Sequence, residues 1–513
     1  MTYLIGVDLG TSGCKVILFD AAGSPVASDY TGYPLNLLGN GMVEQNPEDW
    51  WDAVCASMRK VMKIADISST EVASIGCGGQ FPDLVTIDRD GRALRPAIAY
   101  SDVRGRTQSE QIFDRLGREE VTKLTGLPAC FFPSLPASKI LWIRQHEPEL
   151  EKHIYAVMGA KDFLNFRLTG QHAIDYVEAW WTGLVMERGY SWWDEMLERL
   201  RIPRSWLGDI RKPTDVIGEL TETASKVTSL APGTPVVCGS VDGMCNVVGS
   251  GILEPGIMMD ASGTTEIMAS LSTKKLAPSI GDSIFCWRHL DPEKWVVYTS
   301  TATAGASLRW FSEHFAEAEK AEAAKTGVSV YNILDRQAET VDAGAEMLLF
   351  WPYLAGEYAP FYDFNVRGVF LGITLDKERK HFVRAILEGV AFSMNHVIEA
   401  FSDLGLKIQK IRTGGGGSKS RLWNQIKADV TGKTVQVTKV NELGCTGAAI
   451  LAGIGAGVFS GIEEATRSAV PTVEEFTSNT RNHETYSKLF RVYKEKCSLL
   501  RDISASLSSS DSS

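Results

Sequence analysis

The feature that most constrains the fold of this chain is a pair of similar turns, each lying between two apolar, strand-like segments. The first turn, Asp8-Leu9-Gly10-Thr11-Ser12, follows a strand pattern over residues 3–7, and the second, Asp260-Ala261-Ser262-Gly263-Thr264-Thr265, follows one over residues 257–260. Such an internal repeat indicates two related domains, and the glycine- and proline-containing stretch 249–256 is the expected boundary. We therefore expect a first domain over 1–250, a second over 251–502, and a serine-rich tail over 503–513 without fixed structure.

Strand and helix patterns alternate along the rest of the chain. Strand-like runs recur at residues 72–77, 84–87 and 236–238, with helical patterns such as 139–146 and 383–401 between them. This alternation predicts an α/β fold. A chain of 513 residues, 44% of them hydrophobic, is long enough for two or three domains with substantial cores.

Charge and cysteine usage exclude several classes of function. With 52 basic and 63 acidic residues the net charge is −11, which argues against a nucleic-acid partner. Nine cysteines without a C-x-x-C pair argue against a disulfide framework or a zinc site and favour a reducing compartment. The start of the chain shows no secretory signal, and the uncharged stretch 443–462 is rich in Gly and Ala, so we expect a cytoplasmic protein without a membrane segment.

The two turns carry the residue types that hold phosphate. Glycine allows backbone to approach a ligand closely, and consecutive N–H groups with Thr or Ser hydroxyls form a concavity for phosphate oxygens. One such turn is more often an ordinary bend in a β-hairpin. Two of them, one on each domain, are the arrangement that a nucleoside triphosphate needs, and Asp8 is placed to hold Mg²⁺ through water.

A third glycine cluster occupies residues 413–421, with the sequence TGGGGSKSR, between a short strand and a helix. Bare backbone at a helix N-terminus suits a phosphate or a flat purine ring, whereas the plainer alternative is a flexible connector. The arrangement of a P-loop is absent.

Asp242, in the segment CGSVDGMCN over 238–246, is the candidate general base. It follows an apolar strand among small residues, as does a carboxylate that accepts a hydroxyl proton during phosphoryl transfer. The alternative, that Asp242 only caps the next helix, carries equal weight at this point. No H-E-x-x-H metal motif and no G-x-S-x-G elbow occurs in the sequence.

Taken together, these motifs resemble those of the FGGY carbohydrate kinases. Residues 134–146, SLPASKILWIRQH, are similar to the first signature of that family, and residues 368–373, GVFLGI, with 381–388, HFVRAILE, are similar to the second. Within the family, the segment EQNPEDWW over 44–51 is most like that of xylulokinase-like members. The resemblance implies an actin-like, ribonuclease H-like ATPase fold whose duplicated domains enclose a cleft, and an ATP-dependent, Mg²⁺-assisted kinase acting on a small sugar. It also implies a possible homodimer.

The resemblance also assigns roles to individual residues. It implies that Asp242 is the catalytic base and that Asp8 lies near Mg²⁺. Nucleotide contacts would come from Thr11, Ser12, Gly13, Lys15, Gly263, Thr264, Gly305, Arg309, Gly416, Gly417 and Ser420. Substrate contacts would come from Gln80, Phe81, Asp83, Tyr100, Asp102 and Asp242.

The substrate loop departs from the xylulokinase pattern. Residues 79–83 read GQFPD, where xylulokinases have Gly-Gln-Met-His-Gly, so Pro82 replaces a histidine that would hydrogen-bond to the sugar. A xylulose-like ketose is therefore the first expectation, and a polyol, a tetrulose or another ketopentose is the alternative. A nucleotide-binding scaffold of the actin or chaperone kind is the rival from a different functional class.

Overall fold

The computed structural model describes residues 2–187, 190–276 and 283–510, with side chains to 507. The chain divides into two compact units. Unit 1 comprises Met1–Gly251 and Glu442–Val470, and unit 2 comprises Ile252–Asn441 and Pro471–Ser513. Residues 442–470, which we assigned from the sequence to the second domain, therefore return to the first unit.

Unit 1 is built on a sheet in the order β14-β15-β6-β1-β2-β3, with β16 also paired to β6. β6 runs parallel to β1, β15 and β16, and β1 forms an antiparallel hairpin with β2. The strands of this part of the chain are β1 Tyr3–Leu9, β2 Gly13–Asp20, β3 Pro25–Gly32, β4 Asn36–Gly39, β5 Met42–Gln45, β6 Val72–Gly79, β7 Val85–Ile87, β8 Ala97–Ile98, β9 Ala156–Met158, β10 Ala173–Asp175, β11 Val185–Met186, β12 Ser191–Trp192, β13 Asp209–Arg211, β14 Val216–Glu219, β15 Pro235–Val237 and β16 Ser240–Val241.

Several helices of the same part of the chain pack against this sheet. The first one shows how the sequence starts a helix: Asn46 accepts the Glu48 N–H as N-cap, Pro47 occupies the first turn, and Trp50 is buried in the core. The helices are α1 Pro47–Ala65, α2 Arg106–Leu116, α3 Arg118–Thr125, α4 Pro136–His146, α5 Pro148–Glu151, α6 Ala160–Thr169, α7 Tyr176–Trp181, α8 Asp194–Leu200, α9 Glu222–Thr228 and α10 Asp242–Ser250, with 3₁₀ turns at Ser69–Glu71, Ala129–Ser134 and Arg204–Trp206.

Unit 2 repeats the central motif of unit 1. An antiparallel hairpin, β17 with β18, lies beside a parallel strand, β23, in a sheet of order β19-β20-β18-β17-β23-β24-β25. Up to residue 441 its elements are β17 Ile257–Ser262, β18 Glu266–Ser272, β19 Phe285–Arg288, β20 Trp295–Thr301, α11 Gly305–Phe315, α12 Glu317–Thr326, α13 Val330–Glu339, a 3₁₀ turn at Ala345–Met347, β21 Leu349–Trp351, β22 Val369–Leu371, α14 Arg379–Asp403, β23 Lys410–Gly414, a 3₁₀ turn at Gly417–Lys419, α15 Arg421–Thr431 and β24 Thr434–Thr438.

The returning segment packs two helices, α16 Leu443–Gly455 and α17 Ile462–Ala469, onto unit 1. Glycines in the sheet permit this contact, because a Cβ at Gly6 would lie 2.0 Å from the Cys445 carbonyl oxygen and one at Gly76 would lie 2.1 Å from that of Ala448. The uncharged stretch that begins at residue 443 is therefore a buried helix, as its composition predicted.

The last elements, β25 Thr472–Phe476 and α18 Thr480–Ser510, belong to unit 2. Residues 503–510 are helical, which corrects the expectation of a tail without fixed structure, and residues 511–513 lie outside the described residues. Each unit has a sheet that contains parallel as well as antiparallel strand pairs, with helices packed on it, which confirms the α/β fold class. A search of the described helices for one long and apolar enough to cross a membrane finds none.

Candidate functional site

In unit 1 the candidate residues gather where parallel strands end. The register places Asp8 of β1 opposite Gly78 of β6, and Gly78 opposite Ser240 of β16. Gln80 follows the end of β6, and Asp242 follows the end of β16. Carboxyl ends of parallel strands form one edge of a sheet, which is where ligands bind in α/β proteins.

Asp242 is the first residue of α10, and the N-cap position belongs to Val241. The geometry therefore does not give Asp242 the capping role that its sequence left open. Burial, with smaller contributions from the charges of Asp8 and Asp83, raises the pKa of Asp242 to about 7 against the opposing effect of the Gly243 N–H. A carboxylate that titrates near neutral pH is suited to accept a proton.

Asp8 lies beside the N-terminus of α16. A Cβ at Gly444 would lie 2.4 Å from Asp8 Oδ2, so the helix approaches the carboxylate through a residue without a side chain. Burial and the Glu442 charge raise the pKa of Asp8 to about 6, while Lys15 lowers it. Among the described residues, none donates a hydrogen bond to this carboxylate or forms an ion pair with it.

The turn between β1 and β2 is held by bonds to its carbonyl groups. The Gly10 N–H donates to the Gly13 carbonyl at 3.0 Å, and the Tyr33 hydroxyl donates to the Gly10 carbonyl at 2.5 Å. The Thr11 hydroxyl donates to the Tyr100 hydroxyl at 3.3 Å, and Ser12 is exposed. The backbone of the turn is thus fixed while the Ser12 side chain faces solvent.

Lys15 faces the same turn but its ammonium group has a partner. Lys15 Nζ lies 2.6 Å from Glu442 Oε1, and both side chains are partly exposed. Glu442 was not among the candidates from sequence, because it lies far from Lys15 along the chain. The ion pair with Glu442 fixes the position of the Lys15 ammonium group in unit 1.

Gln80 is oriented by a second glutamine that the sequence analysis did not select. Gln45 Nε2 donates to the Thr11 carbonyl at 2.8 Å, so its Oε1 is left to accept the Gln80 Nε2–H at 2.7 Å. This chain of bonds fixes both amide groups and leaves Gln80 Oε1 as a buried acceptor without a hydrogen bond. Gln45 therefore links the turn after β1 to the loop after β6.

Asp83 and Tyr100 join the two candidate substrate loops. Asp83 is 2% exposed, and its Oδ1 accepts the Tyr100 N–H at 2.8 Å. Burial raises the pKa of Asp83 to about 7, while the Lys139 charge, the Tyr100 N–H and the Gln80 amide lower it.

Lys139, within the segment similar to the first family signature, ties these loops together. Its fully buried ammonium donates to the Pro82 carbonyl at 2.8 Å and to the Ala99 carbonyl at 2.9 Å. Burial lowers the pKa of Lys139 to about 8, although the Asp83 charge raises it. A lysine within the apolar helix pattern was the signal that could have identified it.

Asp102 is buried and fully bonded within the protein. Its Oδ2 accepts the Val43 N–H at 2.6 Å, and both oxygens accept bonds from the Arg104 guanidinium at 2.7 to 3.0 Å. The fork of Arg104 matches a carboxylate in this way. These contacts make Asp102 a residue that positions its loop.

Aromatic rings lie on one side of the substrate loop. The Phe81 ring centroid is 5.2 Å from that of Trp181, and the Phe131 centroid is 6.3 Å from Trp181 on an edge-on arrangement. Phe81 is half-buried. Phe81 thus packs in an aromatic cluster next to Gln80 in the chain, and aromatic rings commonly line sugar sites.

In unit 2 the candidates again follow parallel strand ends. The turn after β17 is bonded to the start of α11, because the Gly305 N–H donates to the Gly263 carbonyl at 3.0 Å. A Cβ at Gly305 would lie 2.5 Å from that oxygen, so glycine is needed there. Arg309, one turn later in α11, donates to the Thr264 hydroxyl at 2.7 Å.

The glycine cluster follows β23, which pairs with β17 so that Gly414 lies opposite Ala261. Gly415 has φ +78° and donates its N–H to the Asn441 carbonyl at 2.8 Å. Open space surrounds the Cβ position of Gly416, whereas that of Gly417 meets Ser262. Ser420 caps α15 by accepting the Trp423 N–H at 3.0 Å. These bonds make the cluster an ordered loop and not a flexible connector.

A buried ion cluster underlies these unit 2 turns. Lys427 Nζ lies 2.6 Å from Asp260 Oδ2 and 3.2 Å from Glu266 Oε1, and all three side chains have no exposed surface. Burial opposes the charge of Lys427, but the two carboxylates raise its pKa overall. Burial raises the pKa of Glu266 to about 8, and the Lys427 charge lowers it.

Comparison with known proteins gives matches along nearly the whole chain. The family model for the N-terminal domain of the FGGY family of carbohydrate kinases matches residues 3–249, and that for the C-terminal domain matches residues 258–456. A xylulose kinase of Bacillus subtilis is 32% identical over 99% of both chains. A gluconokinase of the same species is 30% identical over 88% of this chain and 87% of its own. The crystal structure of xylulose kinase from Rhodospirillum rubrum is similar with a TM-score of 0.82 and 28% identity, over 98% of this chain and 100% of that one.

Proposed function

The chain belongs to the FGGY family of carbohydrate kinases, and from this premise we propose that it transfers the γ-phosphoryl group of ATP to a primary hydroxyl of a small, xylulose-like ketose. Family membership makes the chain an ATP-dependent sugar kinase, so the scaffold alternative is set aside. The observation that carries the assignment of chemistry is Asp242, a carboxylate with a pKa of about 7 that follows β16, a strand paired in parallel with β6.

We assign to Asp242 the role of general base. Deprotonated, it accepts the proton of the sugar hydroxyl as that oxygen attacks phosphorus, and it orients the hydroxyl beforehand. The charges of Asp8 and Asp83 favour the protonated form after transfer.

We assign phosphate and nucleotide binding to the residues of the three glycine-containing turns. One of these turns lies in unit 1 and the other two lie in unit 2. Backbone N–H groups and hydroxyls in such turns neutralise phosphate charge without net positive charge on the protein. In unit 1 these residues are Thr11, Ser12, Gly13 and Lys15, and in unit 2 they are Gly263, Thr264, Gly305, Arg309, Gly416, Gly417 and Ser420.

We assign Mg²⁺ to Asp8. Its carboxylate has no hydrogen bond or ion pair among the described residues, which fits an ion that takes one or two carboxylates and keeps much of its water. No group of three or more His, Cys, Asp or Glu side chains with metal-binding geometry occurs in the described part of the chain, so the protein supplies few ligands. When bound, Mg²⁺ neutralises charge on the phosphates of ATP.

We assign sugar contacts to the loop residues Gln80, Phe81, Asp83 and Tyr100, together with Asp242. Gln80 and Asp83 offer buried acceptors, and Phe81 offers an aromatic face. Asp102 acts through Arg104 and the Val43 backbone to position this loop. Because Pro82 brings no hydrogen-bond donor, a polyol, a tetrulose or another ketopentose is the alternative substrate.

The assembly and location of the enzyme complete the proposal. We place it in the cytoplasm, because its nine cysteines include no C-x-x-C pair and eight of them are buried, as is usual in a reducing compartment. We also propose a homodimer, by analogy with the family.

A measurement of ATP consumption against a panel of ketoses and polyols tests the proposal. We expect ADP release to require both Mg²⁺ and an added sugar, with the highest kcat/KM for a five-carbon ketose. ADP release at the same rate without any sugar would contradict the kinase assignment.

A further inference from the structure

The segment of unit 1 that carries Asp242 is short and sharply bent. β15 ends at Val237, β16 comprises only Ser240–Val241, and α10 begins at Asp242. Gly239, between the two strands, has φ +66°, and a Cβ there would lie 1.9 Å from the Cys77 carbonyl oxygen, so the bend requires glycine. A strand of two residues has few ladder bonds, so the placement of Asp242 depends on other contacts as well.

Buried side chains supply two such contacts. The Asn165 amide, on α6, donates to the Cys238 carbonyl at 2.8 Å. The Ser240 hydroxyl, two residues before Asp242, donates to Asp175 Oδ1 at 2.8 Å. Asn165, Asp175 and Ser240 have no exposed surface, so water does not compete for either hydrogen bond.

Asp175, the acceptor of the serine hydroxyl, is itself fixed by two neighbouring elements. It is the last residue of β10 and caps α7, because its Oδ1 also accepts the Val177 N–H at 3.0 Å. Its Oδ2 lies 3.1 Å from the ammonium of Lys161, on α6. The same ammonium lies 2.9 Å from Glu178 Oε2 and contacts Asp162. Asp175 is therefore tied to both α6 and α7.

The Lys161 ammonium compensates the negative charge around Asp175. Burial opposes the charge of Lys161, but the carboxylates of Asp162, Glu178 and Asp175 raise its pKa well above the ordinary value. A buried carboxylate beside a fixed ammonium is less costly than one left alone. A hydroxyl bond to a charged carboxylate is also stronger than a bond between two neutral groups. The bond between Ser240 and Asp175 is thus suited to hold the bent segment in one place.

We propose that Asp175 is a positioning residue for the base: through the Ser240 hydroxyl it holds the start of α10, and with it the Asp242 carboxylate, in the place from which a proton is accepted. The proposal rests on the proposed role of Asp242 and adds two residues that the sequence analysis did not select. A displacement of about 1 Å in a catalytic group can cost roughly 100-fold in rate. The loss of an anchor two residues from the base should therefore lower turnover.

Ser240→Ala tests the proposal on the full-length enzyme, because it removes the hydroxyl and leaves the backbone bonds of β16. We expect kcat to fall roughly 10- to 100-fold. KM for the sugar and for ATP should stay within about threefold, because the other assigned contacts are unchanged. Ser240→Thr keeps a hydroxyl and should keep kcat within about threefold of the wild type. Wild-type kcat in Ser240→Ala, measured by steady-state kinetics, would overturn the proposal.

Ser250→Ala is the matched control. Ser250 is the last residue of α10, is 1% exposed, and donates its hydroxyl to the Val247 carbonyl at 2.7 Å. The change costs one buried hydrogen bond, as Ser240→Ala does, so the two variants should lose similar thermal stability. Only Ser240→Ala should lose kcat. An equal fall of kcat in both variants would assign the effect to the stability of α10 and not to positioning.

Asp175→Asn tests whether Asp175 acts through Ser240. The amide keeps an oxygen for the serine hydroxyl but loses the charge, so kcat should fall less than in Ser240→Ala. Because both changes weaken the same bond, Ser240→Ala should lower kcat by a smaller factor in the Asp175→Asn background than in the wild type. An equal factor in both backgrounds would refute the route through Ser240. This comparison decides the matter if Ser240→Thr does not fold.

Hydrogen exchange separates this inference from the kinase assignment. Amide exchange over residues 240–245 should be faster in Ser240→Ala than in the wild type or in Ser250→Ala, whether or not the protein turns over ATP. If the wild type phosphorylates no acceptor, the kinase function fails, and faster exchange confined to this segment still supports the anchoring of α10 by Asp175. Exchange at the wild-type rate in Ser240→Ala would refute the anchoring whatever the activity.

Discussion

The two repeated turns have the same backbone pattern, but the carboxylate that precedes each turn lies in a different environment. Asp8, in unit 1, has no ion pair among the described residues, and the pKa of its carboxyl is raised to about 6. Asp260, in unit 2, lies 2.6 Å from the buried ammonium of Lys427. Among the described residues, Asp8 thus has no ion pair, which fits the proposed Mg²⁺ site, whereas Asp260 belongs to a buried ion cluster.

The difference has an electrostatic reason. In unit 2 two buried carboxylates, Asp260 and Glu266, face one Lys427, and burial raises the pKa of Glu266 to about 8, so one proton keeps the cluster near neutral at pH 7. A neutral cluster holds the turn but leaves no net charge for a cation. In unit 1 the charge near Asp8 stays uncompensated, which suits proton transfer and metal binding. Under the proposed function, proton transfer and Mg²⁺ binding therefore belong to unit 1, while unit 2 contributes backbone groups, hydroxyls and the Arg309 side chain.

The largest expected effect comes from removing the base of unit 1. Asp242→Asn keeps the size of the side chain and removes its ability to accept a proton, so we expect kcat to fall by roughly 10² to 10⁴. Nucleotide affinity should stay within about twofold, because the residues assigned to adenosine lie in unit 2. Steady-state kinetics and calorimetric titration with a non-hydrolysable ATP analogue measure the two quantities.

Asp52→Asn, an exposed change on α1, serves as the control for that substitution. It should have wild-type kcat. If Asp242→Asn also retained full turnover, Asp242 would not be the base, and the contrast between a reactive unit 1 and a structural unit 2 would lose its main support.

The second prediction tests the structural role of the unit 2 cluster. Lys427→Met removes the cation and leaves Asp260 and Glu266 buried without compensation, so we expect a loss of roughly 3 to 5 kcal/mol in the free energy of unfolding. The matched control is Lys494→Met, which removes an exposed lysine paired with Glu399 and should cost at most about 1 kcal/mol. Thermal and urea unfolding report both values.

The corresponding change in unit 1 should behave in the opposite way. Asp8→Asn removes a half-buried carboxylate that has no ion pair among the described residues, so stability should be unchanged or higher while turnover falls. Equal destabilisation by Lys427→Met and Asp8→Asn would show that the two turns are supported alike, contrary to the comparison.

The sequence alone predicts only part of this difference between the two turns. The α/β class, the two turns and Asp242 follow from local patterns, since strand periodicity, glycine content and a carboxylate after a strand occupy a few consecutive residues. Lys427, Gln45 and Lys139 could not be found in that way, because each acts through contacts with segments far along the chain. The packing of residues 442–470 on unit 1 likewise depends on tertiary contacts, although the composition of this segment predicted a buried helix.

The smallest expected effect, and the one that most directly reports the uncompensated charge of unit 1, is the pH dependence. The base is active when deprotonated, and the pKa of Asp242 in the ligand-free protein is raised to about 7, so kcat/KM should rise about tenfold per pH unit below 7 and level off above it. Asp8→Asn removes a charge that raises this pKa, so the midpoint of its normalised profile should move to lower pH. Lys494→Met should leave the midpoint in place.

Stability should change with pH in the opposite direction to activity. Between the ordinary aspartate value of 3.8 and about 7, the folded protein holds a proton on Asp242 that the unfolded chain has released. Since the folded state then binds more protons, the free energy of unfolding falls as pH rises through this window, and Asp8 adds to the effect up to about 6. Unfolding measured from pH 5 to 8 should show this decline in the wild type and a smaller one in Asp242→Asn. A decline of the same size in both proteins would show that Asp242 does not contribute to the pH dependence of stability.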